Sequence, residues 1–188
     1  MSGADRERWD RKYQDRELAG EPSVSLRRLA QYIPHAGAAL DVAGGSGRNS
    51  IWLAQRGLDV TLVDVSAVGA DMAQRRARQL GVSLQTAVAD LDNEPLPAGR
   101  FELIVDTYFL SRPLFAQFAE RLTDDGRLIM IHPTATNLQK HAKPPRGFLL
   151  DDGELPTLLE RNGLEAVHYS EGWTDDGRHE AQLIARKS

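Results

Sequence analysis

The sequence predicts an α/β fold with a mostly parallel sheet, helices on both faces and an antiparallel hairpin at the end. From residue 38 onward, short apolar runs alternate with segments of helical periodicity, which is typical of βαβ units. The last two apolar runs, residues 164–171 and 179–186, flank a short segment with the turn formers Asp175, Asp176 and Gly177. At 188 residues, we expect 1–188 to form a single domain.

Two helices are expected before the first strand, within residues 1–34. Residues 4–19 place Trp9 and Tyr13 four positions apart, on one side of a helix. Residues 23–33 show a second helical pattern, with Ser23 as its N-cap.

Strands and helices then alternate to the end of the chain. The strands are expected at 38–42, 58–63, 84–89, 101–106, 127–131, 164–171 and 179–186, and the helices at 47–56, 66–80, 112–122 and 151–162. Residues 132–150 are rich in proline and basic residues and are longer than the ~12–15 residues usual for a structureless loop. They are a candidate lid.

Composition excludes several function classes. The net charge of −4 and pI near 5.7 give no electrostatic reason to bind nucleic acid. The absence of cysteine removes disulfides, thiolate metal sites and cysteine nucleophiles, and the histidine spacing indicates no metal site. No apolar run reaches the ~18 residues of a membrane span, so we expect no membrane partner and a cytoplasmic location. We also expect a monomer or homodimer that acts on a small molecule.

A glycine-rich loop follows the first predicted strand in the run Asp41-Val42-Ala43-Gly44-Gly45-Ser46-Gly47. Glycine permits positive φ and close approach of a ligand, and the helix that follows offers unpaired N–H groups. A tight turn without a ligand is the alternative interpretation.

Carboxylates end each of the first four predicted strands, at Asp41, Asp64, Asp90 and Asp106. Asp64 lies 17 residues after Gly47, where nucleotide sites of doubly wound folds hold a ribose. The same spacing approximates the dinucleotide fingerprint of NAD(P)-dependent oxidoreductases, a rival function. That fingerprint requires glycine or alanine where this chain has Ser50.

These motifs resemble the class I S-adenosylmethionine-dependent methyltransferases. Their pattern is acid-x-Gly-x-Gly-x-Gly, which Asp41, Gly45 and Gly47 match, while Ala43 replaces the first glycine. Alanine is tolerable there if its φ stays negative. The resemblance implies a Rossmann-like, doubly wound, seven-stranded sheet of order 3-2-1-4-5-7-6.

The resemblance also implies the residues around the cofactor, S-adenosylmethionine, with the N-terminal helices as a cover. They are Asp41, Ala43, Gly44, Gly45, Gly47, Asn49, Asp64, Val65, Ser66, Asp90, Leu91, Asp106, Thr107, Trp9 and Tyr13. The segments 108–115 and 147–150 resemble small bacterial enzymes of the tellurite-resistance and thiopurine methyltransferase type. That likeness implies a small acceptor, such as a soft thiol, selenium or tellurium nucleophile.

Candidates for catalysis and substrate binding are few. His132, at the end of the fifth strand, is the histidine placed to act as a general base, and Tyr108 borders the expected methyl group. Arg112 and His141 are candidates for the substrate site, although Arg112 could instead pair with a nearby carboxylate. A non-catalytic S-adenosylmethionine-binding protein is the third function left open.

Overall fold

The computed structural model describes residues 3–14 and 20–188; part of the first predicted helix, residues 15–19, lies outside them. The strands are β1 (Ala38–Val42), β2 (Asp59–Asp64), β3 (Gln85–Val88), β4 (Phe101–Thr107), β5 (Leu122–Pro133), β6 (Leu164–Trp173) and β7 (His179–Lys187). The α-helices are α1 (Gly3–Gln14), α2 (Val24–Arg28), α3 (Arg48–Gln55), α4 (Ala67–Gln79), α5 (Phe115–Arg121) and α6 (Glu154–Glu160).

The seven strands form one sheet of order β3-β2-β1-β4-β5-β7-β6, as predicted. Strands β1 to β5 pair in parallel, and β7 is antiparallel to both β5 and β6. Strands β2 and β3 are added on one side of β1, and β4 and β5 on the other. At such a switch point, the carboxyl ends of the strands border the crevice where doubly wound sheets bind ligands.

Two predicted helices differ from the observed elements. In place of the helix predicted at 23–33, the structure has the short α2, capped by the Ser23 hydroxyl, and then a 3₁₀ turn at Ala30–Tyr32. The helix predicted at 112–122 begins as a 3₁₀ turn at Arg112–Leu114, with Pro113 in the first turn, where its missing N–H costs no helical hydrogen bond. Leu122 already belongs to β5, whose pairing with β4 is interrupted by a bulge.

The segment 132–150 is more ordered than its sequence predicts. Its first two residues extend β5, and it contains 3₁₀ turns at Ala135–Gln139 and Arg146–Phe148. Backbone bonds join its two ends, from the Leu150 N–H to the Pro133 carbonyl and from the Ala135 N–H to the Leu150 carbonyl. The loop is therefore fixed at its base.

Apolar residues fill both faces of the sheet. One cluster includes Phe115 and Phe118 of α5, whose rings meet edge to face at 5.5 Å, together with Leu155 of α6. The other packs Leu26 of α2 and Leu53 of α3 against the opposite face. Within the described residues, no helix is long and apolar enough to cross a membrane.

Candidate functional site

The glycine loop between β1 and α3 depends on the absence of side chains. Gly47 has a φ of 83° and Gly45 one of 59°, in the left-handed region that favours glycine. A Cβ on Gly44 would lie 2.8 Å from the Asp41 carboxylate and from Leu62. The loop thus holds its backbone tightly over the ends of β1 and β2.

Ala43 departs from the expectation made for it. Its φ is 51°, in the left-handed region, whereas the sequence analysis required a negative φ for alanine to be tolerated. The left-handed conformation costs a non-glycine residue roughly 1–2 kcal/mol. The condition under which alanine is tolerated is therefore not met, and the chain carries backbone strain at the start of its loop.

Asp64 links the end of β2 to the loop. One carboxylate oxygen accepts a hydrogen bond from the Gly45 N–H at 2.8 Å, and the other accepts one from the Ser66 N–H, also at 2.8 Å. The side chain is buried, and this burial raises the pKa of Asp64, although both hydrogen bonds oppose the shift. The carboxylate is held in one orientation beside the glycine loop.

Asp41 is buried beneath the same loop. The Ser50 hydroxyl donates to its Oδ2, while Oδ1 has no hydrogen-bond partner in the described part of the chain. Burial raises the pKa of Asp41 to about 6, and the nearby Asp64 charge adds to the shift. Ser50 therefore has a definite role in orienting the first acid.

Asp106 completes a group of three buried acids. It accepts a 3.3 Å hydrogen bond from the Phe109 N–H, and burial raises its pKa well above the usual range, with Asp41 contributing. Buried carboxylates with raised pKa values favour a positively charged ligand, whose charge lowers the cost of ionising them. Asp41, Asp64 and Asp106 make this crevice suitable for a cation.

The fourth acid predicted for the site is placed differently. Asp90 is half-buried and accepts hydrogen bonds from the Asp92 N–H and the Asn93 amide, which organise the turn after β3. Leu91 is buried in the core. The assignment of both residues to the cofactor remains a prediction.

Helix α1 lies over the glycine loop. A side chain on Gly45 would collide with the Tyr13 hydroxyl, and Trp9 stacks on Tyr13 with ring centroids 5.8 Å apart. Asp10, which the sequence analysis missed, accepts a 2.5 Å hydrogen bond from the Ser66 hydroxyl at the start of α4. The structure thus brings Tyr13 to the loop, with Trp9 stacked behind it.

Asn49 and Thr107 connect three elements at the edge of the crevice. The Asn49 amide donates to the Thr107 hydroxyl at 2.9 Å, and its carbonyl accepts the Ser23 N–H at 2.9 Å. Val65, which follows β2, is buried. The predicted residues after β1 and β4 are therefore adjacent, and Asn49 also anchors α2.

Tyr108 is held by a buried carboxylate that the sequence analysis missed. Its φ is 67°, and its hydroxyl donates to Glu180 Oε1 at 2.7 Å. The Ser25 hydroxyl donates to the other oxygen of Glu180, which is only 1% exposed. Burial and the neighbouring Glu180 raise the pKa of Tyr108 to about 12, so the phenol remains protonated at neutral pH.

His132 is packed inside the protein at the end of β5. It is 3% exposed, and its Nε2 lies 2.8 Å from the Phe148 carbonyl, to which it donates a hydrogen bond. Burial lowers the pKa of His132 to about 4, so the imidazole is neutral and a weak base. Its evident role is to bind the loop 132–150 to the sheet.

The two predicted substrate residues already have partners. Arg112 forms a bidentate ion pair with Glu154, at 2.7 and 2.8 Å, which is the alternative that the sequence left open. His141 Nε2 lies 2.7 Å from the Gly177 carbonyl, in the hairpin turn. Both side chains are thus engaged with other parts of the protein, and their assignment to the substrate site remains a prediction.

Comparison with known proteins supports the predicted family. Residues 39–126, from β1 to the bulge in β5, match the family model of a methyltransferase domain. The matched segment, slightly less than half of the chain, is similar to a methyltransferase domain. The match confirms the predicted family and supports the predicted cofactor; no curated protein matches the chain by sequence.

Solved methyltransferase structures share the fold. TehB from Haemophilus influenzae superposes with a TM-score of 0.73 at 21% identity, over 89% of this chain and 63% of its own length. A TehB-like methyltransferase from Corynebacterium glutamicum is 21% identical over the full length of both chains, with a TM-score of 0.69. Geranyl diphosphate C-methyltransferase from Streptomyces coelicolor, described in complex with S-adenosyl-L-homocysteine, is 17% identical over 86% of this chain and 77% of its own, with a TM-score of 0.69.

The chain spans slightly less than two thirds of the Haemophilus protein. At these identities the likeness extends to the architecture, and it confirms the predicted Rossmann-like fold.

Proposed function

We propose that this protein is an S-adenosylmethionine-dependent methyltransferase that acts on a small molecule. The observation that carries the proposal is the Asp64 carboxylate, fixed by the Gly45 N–H beside a methyltransferase glycine loop. In this proposal Asp64 binds the ribose of the cofactor, and the loop lies along its methionine part.

The residues present fit this cofactor. S-adenosylmethionine carries a positive sulfonium and an ammonium group, and three buried acids surround the crevice. Asp41 Oδ1, buried beneath the loop, has no partner within the described residues, so a donor supplied nearby by a bound cofactor would satisfy this acceptor. Helix α1 covers part of the loop through Tyr13, which packs against Gly45.

When bound, the cofactor supplies an electrophilic methyl group, so the protein needs only to orient the acceptor and exclude water. The two predicted acid–base residues are not prepared to remove a proton. The Tyr108 phenol donates to Glu180, and His132 is a neutral, weakly basic imidazole bound to Phe148. We infer an acceptor that ionises by itself, such as a thiol, selenide or telluride.

Transfer of a labelled methyl group to a panel of small thiols, selenide, amines and phenols tests the acceptor class. We expect thiols and selenide to be methylated and amines and phenols to react poorly. Methylation of amines alone would contradict the acceptor class while leaving the methyltransferase itself intact.

A series of thiols with different pKa values gives a sharper test. Without a protein base, the pH midpoint of kcat/KM should follow the pKa of each thiol. A midpoint that stays constant across the series would instead reveal a titrating group of the enzyme. Cofactor binding without transfer to any acceptor would favour the non-catalytic binding protein.

A further inference from the structure

A second cluster of polar side chains lies at the β6–β7 hairpin, apart from the glycine loop. One carboxylate oxygen of Asp152, one of Glu171 and a ring nitrogen of His179 all lie within 4.8 Å of one another. These residues come from the segment before α6, from β6 and from β7. Their separation in sequence explains why histidine spacing predicted no metal site.

The cluster is on the opposite face of β7 from the Tyr108 contact. Successive side chains of a strand point to opposite faces of the sheet, so His179 and its neighbour Glu180 face apart. Glu180 contacts Tyr108 and Ser25, whereas His179 contacts Thr134 and Trp173. The cluster is therefore distinct from the proposed methyl-transfer site.

Hydrogen bonds from outside the three side chains fix their orientation. Thr136 donates to Asp152 through both its N–H and its hydroxyl, and the Gly153 N–H donates to Glu171 Oε2. Such outer contacts are typical of groups that orient metal ligands.

The tautomer of His179 follows from its neighbour. Its Nδ1 lies 2.8 Å from the Thr134 hydroxyl, which also bonds to the Asp152 carboxylate. A carboxylate only accepts, so the hydroxyl proton goes to Asp152 and Nδ1–H donates to the hydroxyl. In the neutral tautomer with this bond, Nε2 carries the lone pair that a metal ligand needs.

We propose that Asp152, Glu171 and His179 bind a zinc ion. Zinc takes imidazole nitrogen and carboxylate oxygen at about 2.0–2.2 Å, so the ligand atoms of a tetrahedral site lie about 3.4 Å apart. The three atoms here, within 4.8 Å of one another, would have to move closer together by up to about 1.4 Å to bind one ion. Three protein ligands leave a fourth position for water, and the ion would join the start of α6 to the hairpin.

Calorimetric titration of the full chain with Zn²⁺, and separately with Mg²⁺, tests this site. We expect one Zn²⁺ per chain, bound more tightly than Mg²⁺ because imidazole is a poor ligand for magnesium. His179→Gln and Asp152→Asn should each weaken Zn²⁺ binding at least about tenfold. Zn²⁺ should also raise the melting temperature of the wild type more than that of either variant.

Two variants serve as matched controls. His168→Gln removes a histidine from the other face of β6, where it stacks on Tyr32, and Glu160→Gln removes an exposed acid of α6. Both should bind Zn²⁺ like the wild type. Asp152 is exposed, so its variant is expected to fold even if the His179 variant does not. Absence of saturable Zn²⁺ binding, or unchanged binding in Asp152→Asn, would overturn the proposal.

Discussion

The Asp64 carboxylate accepts a hydrogen bond from the Gly45 N–H at 2.8 Å, which joins the end of β2 to the glycine loop. The loop offers backbone donors and the strand offers an acid, and this bond fixes one relative to the other. A ligand that bridges the loop and the acid would therefore find both preorganised.

Replacing Asp64 tests its proposed contact with the ribose. We expect Asp64→Ala to weaken cofactor binding at least about 100-fold, because charge-assisted hydrogen bonds are each worth roughly 1.5–3 kcal/mol. Asp59→Ala, at the exposed start of the same strand, is the control and should bind normally. Calorimetry with S-adenosyl-L-homocysteine measures the affinity of both variants. An Asp64→Ala variant that binds as tightly as the Asp59→Ala control would show that Asp64 does not contact the cofactor.

Ala43 provides a test of backbone strain. Ala43 has a φ of 51°, which glycine adopts without a Cβ clash. We therefore expect Ala43→Gly to increase the free energy of unfolding by about 1 kcal/mol. Ala54→Gly, inside α3, should lower it by about 1 kcal/mol. Urea denaturation compares the two variants, and a destabilised Ala43→Gly would show that the alanine is not strained.

The buried acid Asp41 predicts how stability depends on pH. Its pKa is about 6 in the folded protein and 3.8 in an unfolded chain, so the folded state holds more protons between these values. Stability should therefore fall as pH rises through this range, by up to about 3 kcal/mol from Asp41. Asp41→Asn should be more stable than the wild type at pH 7 and should show a shallower pH dependence.

Urea unfolding without cofactor at pH 5 and pH 7 measures this effect. Asp125→Asn, at an exposed position, should behave like the wild type at both pH values. Asp64 and Asp106 also have raised pKa values, so the Asp41 variant should retain part of the slope. An Asp41 variant with the full slope of the wild type would argue against a buried, strained carboxylate.

Replacing His132 distinguishes a structural role of this residue from a catalytic one. His132→Ala should lower stability by about 2–4 kcal/mol, because it removes a buried side chain and its bond to the Phe148 carbonyl. The rate of thiol methylation per folded molecule, and its pH profile, should remain unchanged. His35→Ala, at an exposed position, controls for the loss of a histidine. A lower rate per folded molecule in the His132 variant, together with loss of the low-pH limb of the profile, would restore His132 as a general base.

The sequence was a good guide to the sheet and a poorer one to contacts across it. Apolar runs and turn residues located all seven strands, because local patterns determine them. The bond between Tyr108 and Glu180 joins residues 72 positions apart, and no local pattern reveals it. The cluster around His179 escaped notice for the same reason.

Positions governed by backbone conformation were also difficult to predict. Ala43 and Tyr108 both have positive φ, which their residue types disfavour and which the surrounding structure imposes. His132 was predicted from its place at a strand end, yet burial gives it a packing role. The acids after β1, β2 and β4 were found because the ends of parallel strands meet at one edge.

Cofactor binding is the most direct test of the proposed function. Titration of the wild-type protein with S-adenosyl-L-homocysteine and with NAD in separate experiments measures it. We predict saturable binding of one S-adenosyl-L-homocysteine per chain and no binding of NAD. Saturable binding of NAD together with no binding of S-adenosyl-L-homocysteine would contradict the account.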